Sequence, residues 1–216
     1  NTVKAATTVD VTATAVTQIT GSAAQLATTY NGNGITGLGD ETIVLTDTSL
    51  AAATLTPTVN GYSTTIINAT SVTELTGTNA EIVAAYAADT ATTVNLDGDV
   101  KLTVSDNVTF TEANTLNGHT SGVVTASIST TAIDDLDNLD DTGNAYTITV
   151  ETAQVTAAAL NTVNAATTVD VTATAVTQIT GSAAELATAY GGGMTLGNDL
   201  TLVLTDTSLA AATLTP

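Results

Sequence analysis

The chain has 216 residues, of which 43% are hydrophobic, 3% aromatic and none cysteine, and it sets 2 Lys and Arg against 21 Asp and Glu for a formal charge of −19. Two lysines, Lys4 and Lys101, cannot form the cationic patch that nucleic acid or an anionic membrane surface requires. The absence of cysteine excludes disulfides, thiolate metal sites and a cysteine nucleophile, and no apolar run reaches the roughly 18–20 residues of a transmembrane segment.

In chain order, the first predicted element is a strand in "TTVDVTA" from Thr7. A helix follows in "TGSAAQLATTYNG", where Ser22 is the N-cap, Ala23, Ala24, Leu26, Ala27 and Tyr30 recur at helical spacing, and glycine follows the end. After a Gly-rich loop come a strand in "ETIVLTD" from Glu41, a short helix in "TSLAAATL" and a strand in "TTIINAT" from Thr64. The helix "TGTNAEIVAAYAAD" repeats the first one, with Ile82, Val83 and Tyr86 on its apolar stripe. Strands are then expected in "DVKLTVSD" from Asp99, "GVVTASI" from Gly122 and "AYTITVE" from Ala145, separated by short helices in "TFTEANTL" and "TTAIDDLDNL" and followed by one in "VTAAALNTV".

At Asn161 the opening thirty residues return with only Lys4/Asn164, Gln25/Glu185 and Thr29/Ala189 changed, and "LTDTSLAAATLTP" at 45–57 recurs at 204–216. The copy brings a strand from Thr167, the helix "TGSAAELATAYGG" with Leu186 and Tyr190, and a strand in "LTLVLTD" from Leu200. Residues 1–160 therefore read as one super-repeat of about six strand–helix coils, and 161–216 as the first third of the next, in one continuous solenoid. The chain is expected to start in mid-array, with any export signal outside it.

Helical crossovers make successive strands parallel. The predicted fold is an α/β solenoid of strand–turn–helix coils with a parallel β-sheet and a leucine-rich-repeat-like architecture; a parallel β-helix is the alternative. Val9 and Val11, Ile43 and Leu45, Leu102 and Val104, Ile148 and Val150, and Leu202 and Leu204 are assigned inward. Threonine, roughly a quarter of the chain, is assigned to exposed strand positions that suit its branched Cβ.

Nothing in the sequence reads as an active site: His119 is the only histidine and is expected to be a solvated loop side chain, and no "GxSxG" elbow occurs. The acidic turns are the candidate metal ligands, because calcium takes clustered oxygens. They are Asp40 and Glu41, Asp97 and Asp99 beside Asn95, and Asp137 and Asp140 beside Asp134, Asp135 and Asp141. None has EF-hand or β-roll spacing, and a solvated turn is the alternative for each. Asp47, Asp106 and Asp206 each follow a strand and are read as caps of the next helix rather than as a carboxylate ladder. An ice-binding face is rejected, since its outward column would run Asp10, Val44, Ile67, Thr103 and Thr125, too irregular for a lattice. Asn68 and Asn107 head minimal glycosylation sequons, which arise easily in a Thr-rich chain.

"VTQITGSAAQLATTY", "VTELTGTNAEIVAAY", "GITGLGDE" and "LTDTSLAAATL" resemble the repeats of very long Thr/Ala/Asp-rich tandem-repeat surface or secreted proteins of bacteria, cyanobacterial giant adhesins among them. Residues 122–166 lack the "TG[ST]xAE" signature and depart most from that style. The resemblance implies an exported structural or adhesive protein. The expected function is a non-enzymatic segment of a sheath, surface layer, fibre or adhesin stalk. Its expected partners are copies of itself or neighbouring repeats, end to end, and the alternative is a module binding a surface glycan or protein.

Overall fold

The computed structural model describes residues 2–32, 34–210 and 213; of the helix expected in the second "TSLAAATL", at 207–214, residues 207–210 are not helical, and 211, 212 and 214 lie outside the described residues. These residues form a mixed α/β structure with several parallel sheets and no closed barrel. They group into two units, residues 1–105 with 119–122, and residues 106–118 with 123–216.

The first unit contains α1 (Thr2–Ala5), β1 (Val11–Thr12), β2 (Gln18–Gly21), α2 (Ala23–Tyr30), β3 (Ile35–Thr36), β4 (Thr42–Leu45) and β5 (Ser49–Ala51). Tight helical turns over Thr54–Thr58 and Val59–Gly61 lead to β6 (Ile67–Asn68), β7 (Glu74–Gly77), α3 (Asn79–Thr90), β8 (Val94–Asn95) and the first part of β9 (Lys101–Val108). The strands pair in parallel as β1-β3, β2-β4-β6-β8 and β5-β7-β9. Register brings like residues together. Ile19, Ile43, Ile67 and Val94 form one column, and Leu50, Leu75 and Leu102 another. Apart from Ile19, which is half-buried, every member of both columns is buried. Each such side chain contributes about 1.5–3 kcal/mol of transfer free energy.

The second unit takes the end of β9 and then α4 (Phe110–Asn117), β10 (Val124–Ile128), α5 (Ile133–Leu136), β11 (Ala145–Thr147), β12 (Gln154–Thr156) and α6 (Ala157–Ala165). It continues with β13 (Val171–Ala173), β14 (Gln178–Gly181), α7 (Ala183–Gly191), β15 (Met194–Leu196) and β16 (Thr201–Leu204). Here β10 pairs with β11, β13 with β15, and β12-β14-β16 make a three-stranded parallel sheet with Val155, Ile179 and Leu202 in register. Buried Asn144 is fully used: its Oδ1 accepts from Val124 N at 2.8 Å and its Nδ2 donates to Asn117 Oδ1 at 3.0 Å.

Several local expectations change. "VTQITG" and "VTELTG" carry strands β2, β7 and β14 immediately before each helix cap, so the opening segment runs strand, turn, strand, helix. Four residues ending in glycine are too short for an alternation signal, and parallel pairing with the next strand supplies what local pattern lacks. "TSLAAATL" begins as strand β5, because Ser49, Leu50 and Ala51 find partners in Glu74, Leu75 and Thr76; helical turns start only at Ala52. Ile43, Leu45, Leu102, Ile148 and Val150 are buried as expected, whereas Val9 precedes β1 and is exposed, Val104 is half-buried, and Leu202 and Leu204 on β16 are exposed. The column drawn through Asp10, Val44 and Ile67 does not exist: Ile67 is buried, and the outward neighbours are Thr20, Val44, Asn68 and Asn95.

Threonine does more than suit a pleated surface. Thr64, Thr73 and Thr120 in the first unit donate hydroxyl bonds to Gly39 O, Thr48 O and Val100 O, and Thr168 and Thr177 in the second donate to Asn144 O and Ala153 O. Each hydroxyl ties the entry of a strand to the chain 20–25 residues before it.

Candidate functional site

The most consistent side-chain chemistry lies at helix N-termini, where the first amides have no partner inside the helix. Ser22, Thr78, Thr109 and Ser182 cap α2, α3, α4 and α7, each accepting from the third residue, whose Gln or Glu side chain accepts in turn from the cap amide. The first helical amide is left over by this box. A residue of the next strand turn takes it: Asp47 Oδ2 accepts from Ala23 N at 2.8 Å, and Asp206 Oδ2 from Ala183 N at 2.7 Å. Threonine does the same for α4 and α5, with Phe110 N donating to Thr130 Oγ1 at 3.2 Å and Ile133 N to Thr152 Oγ1 at 3.0 Å.

These acceptors correct the capping expectation. Asp47 and Asp206 cap the helix that lies 24 and 23 residues before them, not the following one, and Asp106 lies within β9 rather than after it. Sequence proximity pointed to the wrong helix, because parallel stacking puts residue i beside residue i−24. The negative carboxylate also faces the positive end of the helix dipole.

The calcium candidates remain dispersed. Asp40, Asp97, Asp99 and Asp140 are exposed, with Asp97 Oδ1 accepting from Gly98 N at 2.8 Å within its own turn. Asp137 is half-buried and its Oδ1 accepts from Asn138 Nδ2 at 3.0 Å; Asp141 Oδ1 accepts from Thr142 N at 2.7 Å. Among the described residues no three or more acidic or histidine side chains converge as a metal-holding group.

Glu41 is different, because it is fully buried: Oε2 accepts from Gly39 N at 2.9 Å, while Oε1 is buried with no hydrogen-bond partner. Its counterpart in the second sequence copy is Leu200.

His119 is not the solvated loop side chain expected. It is half-buried and stacks on Tyr86, with ring centroids 4.8 Å apart and planes 6° from parallel, and burial raises the Tyr86 phenol. Tyr30 and Tyr62 stack likewise at 4.7 Å. Burial pushes the Tyr146 phenol up to about 12, with Asp141 and Asp140 adding to the rise. The Ser182 amide, followed by its hydroxyl, holds the Glu185 carboxyl below the usual range. Asn68 Oδ1 is occupied by the amide and hydroxyl of Thr70 at 3.1 and 2.8 Å.

One cleft in the second unit is lined by both polar and aliphatic side chains, Ile133, Val155 and Ala159 among the latter. It holds about 390 Å³ between Asp134 and Asp137 on one side and Gln154, Thr156, Gln178 and Thr180 on the other. No family model, curated protein or solved structure matches the chain.

Proposed function

We propose that this chain is a structural segment of an extracellular bacterial repeat protein, built as an α/β solenoid and contributing to a sheath, surface layer, fibre or adhesin stalk. The observation that carries the reading is a latch between coils: the same aspartate of both sequence copies, Asp47 and Asp206, caps the helix of the coil before it. Such a latch makes each coil complete only when its neighbour is present, which is the property of a stacked array. The function is mechanical. Within each unit the coils share an aliphatic core, and the charge of −19 keeps the surface hydrated and repels lateral association.

Solution scattering of the chain tests this. An elongated profile is expected, with a cross-section that stays constant along its length, and a compact sphere of the same mass would overturn the reading. Calcium enters the proposal as a screening counterion for the acidic turns. A melting temperature that is the same in chelator and in millimolar calcium would remove it.

A second reading, an adhesin module for a surface glycan, is favoured by the cleft with Asp134, Asp137, Gln154 and Gln178, whose amides and carboxylates match sugar hydroxyls. The cleft has no aromatic platform among its lining residues. A glycan array giving one saturable ligand, with binding lost in Gln154→Ala, would establish it over the purely structural role.

A further inference from the structure

β12 is the first strand of the sheet β12-β14-β16, and its open side lies in the interior of the chain. β10, α5 and β11 precede it and α6, β13 and β14 follow it, all in the second unit. The opening has a cause in coil length. Thr125 of β10 pairs with Ala145 of β11, 20 residues on, whereas Gln154 of β12 pairs with Gln178 of β14, 24 residues on. The shortfall of four residues equals the length of β14. What the short coil lacks is a strand ahead of its helix: β12 and β14 run directly into the caps of α6 and α7, but α5 follows Ser129–Ala132, which belongs to no strand. Its N-cap, Ala132, makes no side-chain bond.

The cleft of about 390 Å³ lies beside β12 where that strand is missing, with Ile133, Asp134 and Asp137 on one side and Gln154, Val155 and Thr156 on the other. Backbone groups point into it. Thr201 N donates to Thr177 O at 2.9 Å and Thr205 N to Gly181 O at 3.0 Å, so the odd-numbered residues of β14 bond to β16 and the even-numbered ones to β12. Gln178 N accordingly donates to Ala153 O at 3.1 Å. By the same alternation Ala153 and Val155 bond toward β14, and the N–H and C=O of Gln154 and the N–H of Thr156 point to the open side.

Side chains add a pattern. Gln154 and Thr156 are exposed and share a sheet face with Gln178 and Thr180, their register partners, while Val155 between them is buried in the column of Ile179. The charged groups lining the cleft are Asp134 and Asp137, three residues apart on one face of α5, and no cation accompanies them.

We propose that this cleft takes an extended peptide segment, added as a strand parallel to β12, with an apolar residue beside Val155 and Lys or Arg beside Gln154 and Thr156. The apolar residue extends the column of Val155 and Ile179, and its amide donates to Gln154 O while its carbonyl accepts from Thr156 N. The flanking residues fall on the face of Gln154 and Thr156, where the two carboxylates select cations. The inference gives the cleft of the adhesin reading a protein rather than a glycan as its ligand, and it stands on the second unit alone, whether or not the coils form an array.

Fluorescence anisotropy on the full chain with the labelled peptide Ser-Lys-Val-Lys-Ser tests it. Saturable binding that saturates at one peptide per chain is expected. N-methylation of the valine amide, which keeps the charge and removes the bond to Gln154 O, should weaken binding by about tenfold or more, and Ser-Glu-Val-Glu-Ser should not bind. Asp134→Asn together with Asp137→Asn, and separately Gln154→Pro, which removes an open-side amide, should each cost about tenfold or more with circular dichroism unchanged. Should the proline variant fail to fold, the paired asparagine variant and the N-methylated peptide still decide the matter. Equal binding of the N-methylated peptide would reduce the effect to charge alone, and that, an unaffected asparagine variant, or no saturable binding up to about 1 mM would overturn the proposal. A neutral oligosaccharide that binds with sensitivity to Gln154→Ala while the peptide does not would give the cleft to a glycan instead. Failure of the peptide leaves the array reading standing, and a compact scattering profile would sink the array reading and leave this site intact.

Discussion

Residues 1–30 and 161–190 differ at three positions, yet they make different surfaces. In both, the strand ends at a glycine, a serine caps an eight- or nine-residue helix, and an aspartate from the following turn holds the first helical amide. The strand before the cap and the cap itself are therefore the same in both copies. Burial is not. Val163, Val176 and Ile179 are core residues, whereas Val3 and Val16 are exposed and Ile19 is half-buried. The copies teach that, in this chain, a side chain's contribution to stability depends on which strand lies beside it.

The largest expected effect comes from a buried residue set against its exposed counterpart. Ile43→Ala should lower stability by about 2–5 kcal/mol, because it leaves a cavity between Ile19 and Ile67. Leu202→Ala, at the equivalent position, should cost less than about 1 kcal/mol. Equal losses in chemical denaturation would break the comparison.

Gly181 and Gly21 offer a second contrast. A Cβ at Gly181 would lie 2.8 Å from the Ala157 Cβ, but at Gly21 it meets only the Gln25 side chain, with Oε1 at 3.0 Å. Gly181→Ala should destabilise by about 1–3 kcal/mol through that contact with α6, while Gly21→Ala should be tolerated within about 0.5 kcal/mol, since Gln25 can move. Paired melting curves would measure the gap.

The third contrast is chemical. Glu41 carries a buried oxygen with no hydrogen-bond partner where the second copy has Leu200. Glu41→Leu should raise stability by about 1 kcal/mol, the order of the penalty for an unsatisfied buried polar group. A loss of stability would show that the bond from Gly39 N is worth more than the orphaned oxygen takes away.

The smallest effect concerns acid. Glu185 closes the cap box of α7, and the Ser182 amide lowers its affinity for a proton, whereas the same box in the first copy uses Gln25, which does not titrate. The unfolded chain, with the ordinary carboxyl value, takes up the proton first as pH falls. The stabilisation from Glu185 is thus complete above the unfolded value and is lost as pH drops through the lowered folded one. Glu185→Gln should flatten this part of the stability profile below about pH 4.5, the usual carboxyl range. An unchanged profile would remove Glu185 as a source of acid sensitivity.

Much of this was legible beforehand. Ser22, Thr78, Thr109 and Ser182 stand three residues before Gln or Glu, and the caps follow from that spacing because a capping box is made within four residues. The aliphatic strands at Ile43 and Leu102 were equally visible from their alternation. The strand at Ser49–Ala51 was not, since "SLAAA" has the composition of a helix and becomes a strand only beside Glu74, Leu75 and Thr76. The half-buried His119 was also hidden, because nothing near it in sequence announces Tyr86, 33 positions earlier.

The sequence by itself determined the starts of the helices that carry a capping box, the aliphatic character of the core and the duplication, because caps and alternation are local and recur wherever the same words are written. Tertiary structure alone decided which copy of a valine is core, which helix Asp47 caps and that Ser49–Ala51 is a strand. Each of these depends on a partner about 24 residues away, as with Asp47 and Ala23, and a parallel register is a property of two segments that neither encodes alone.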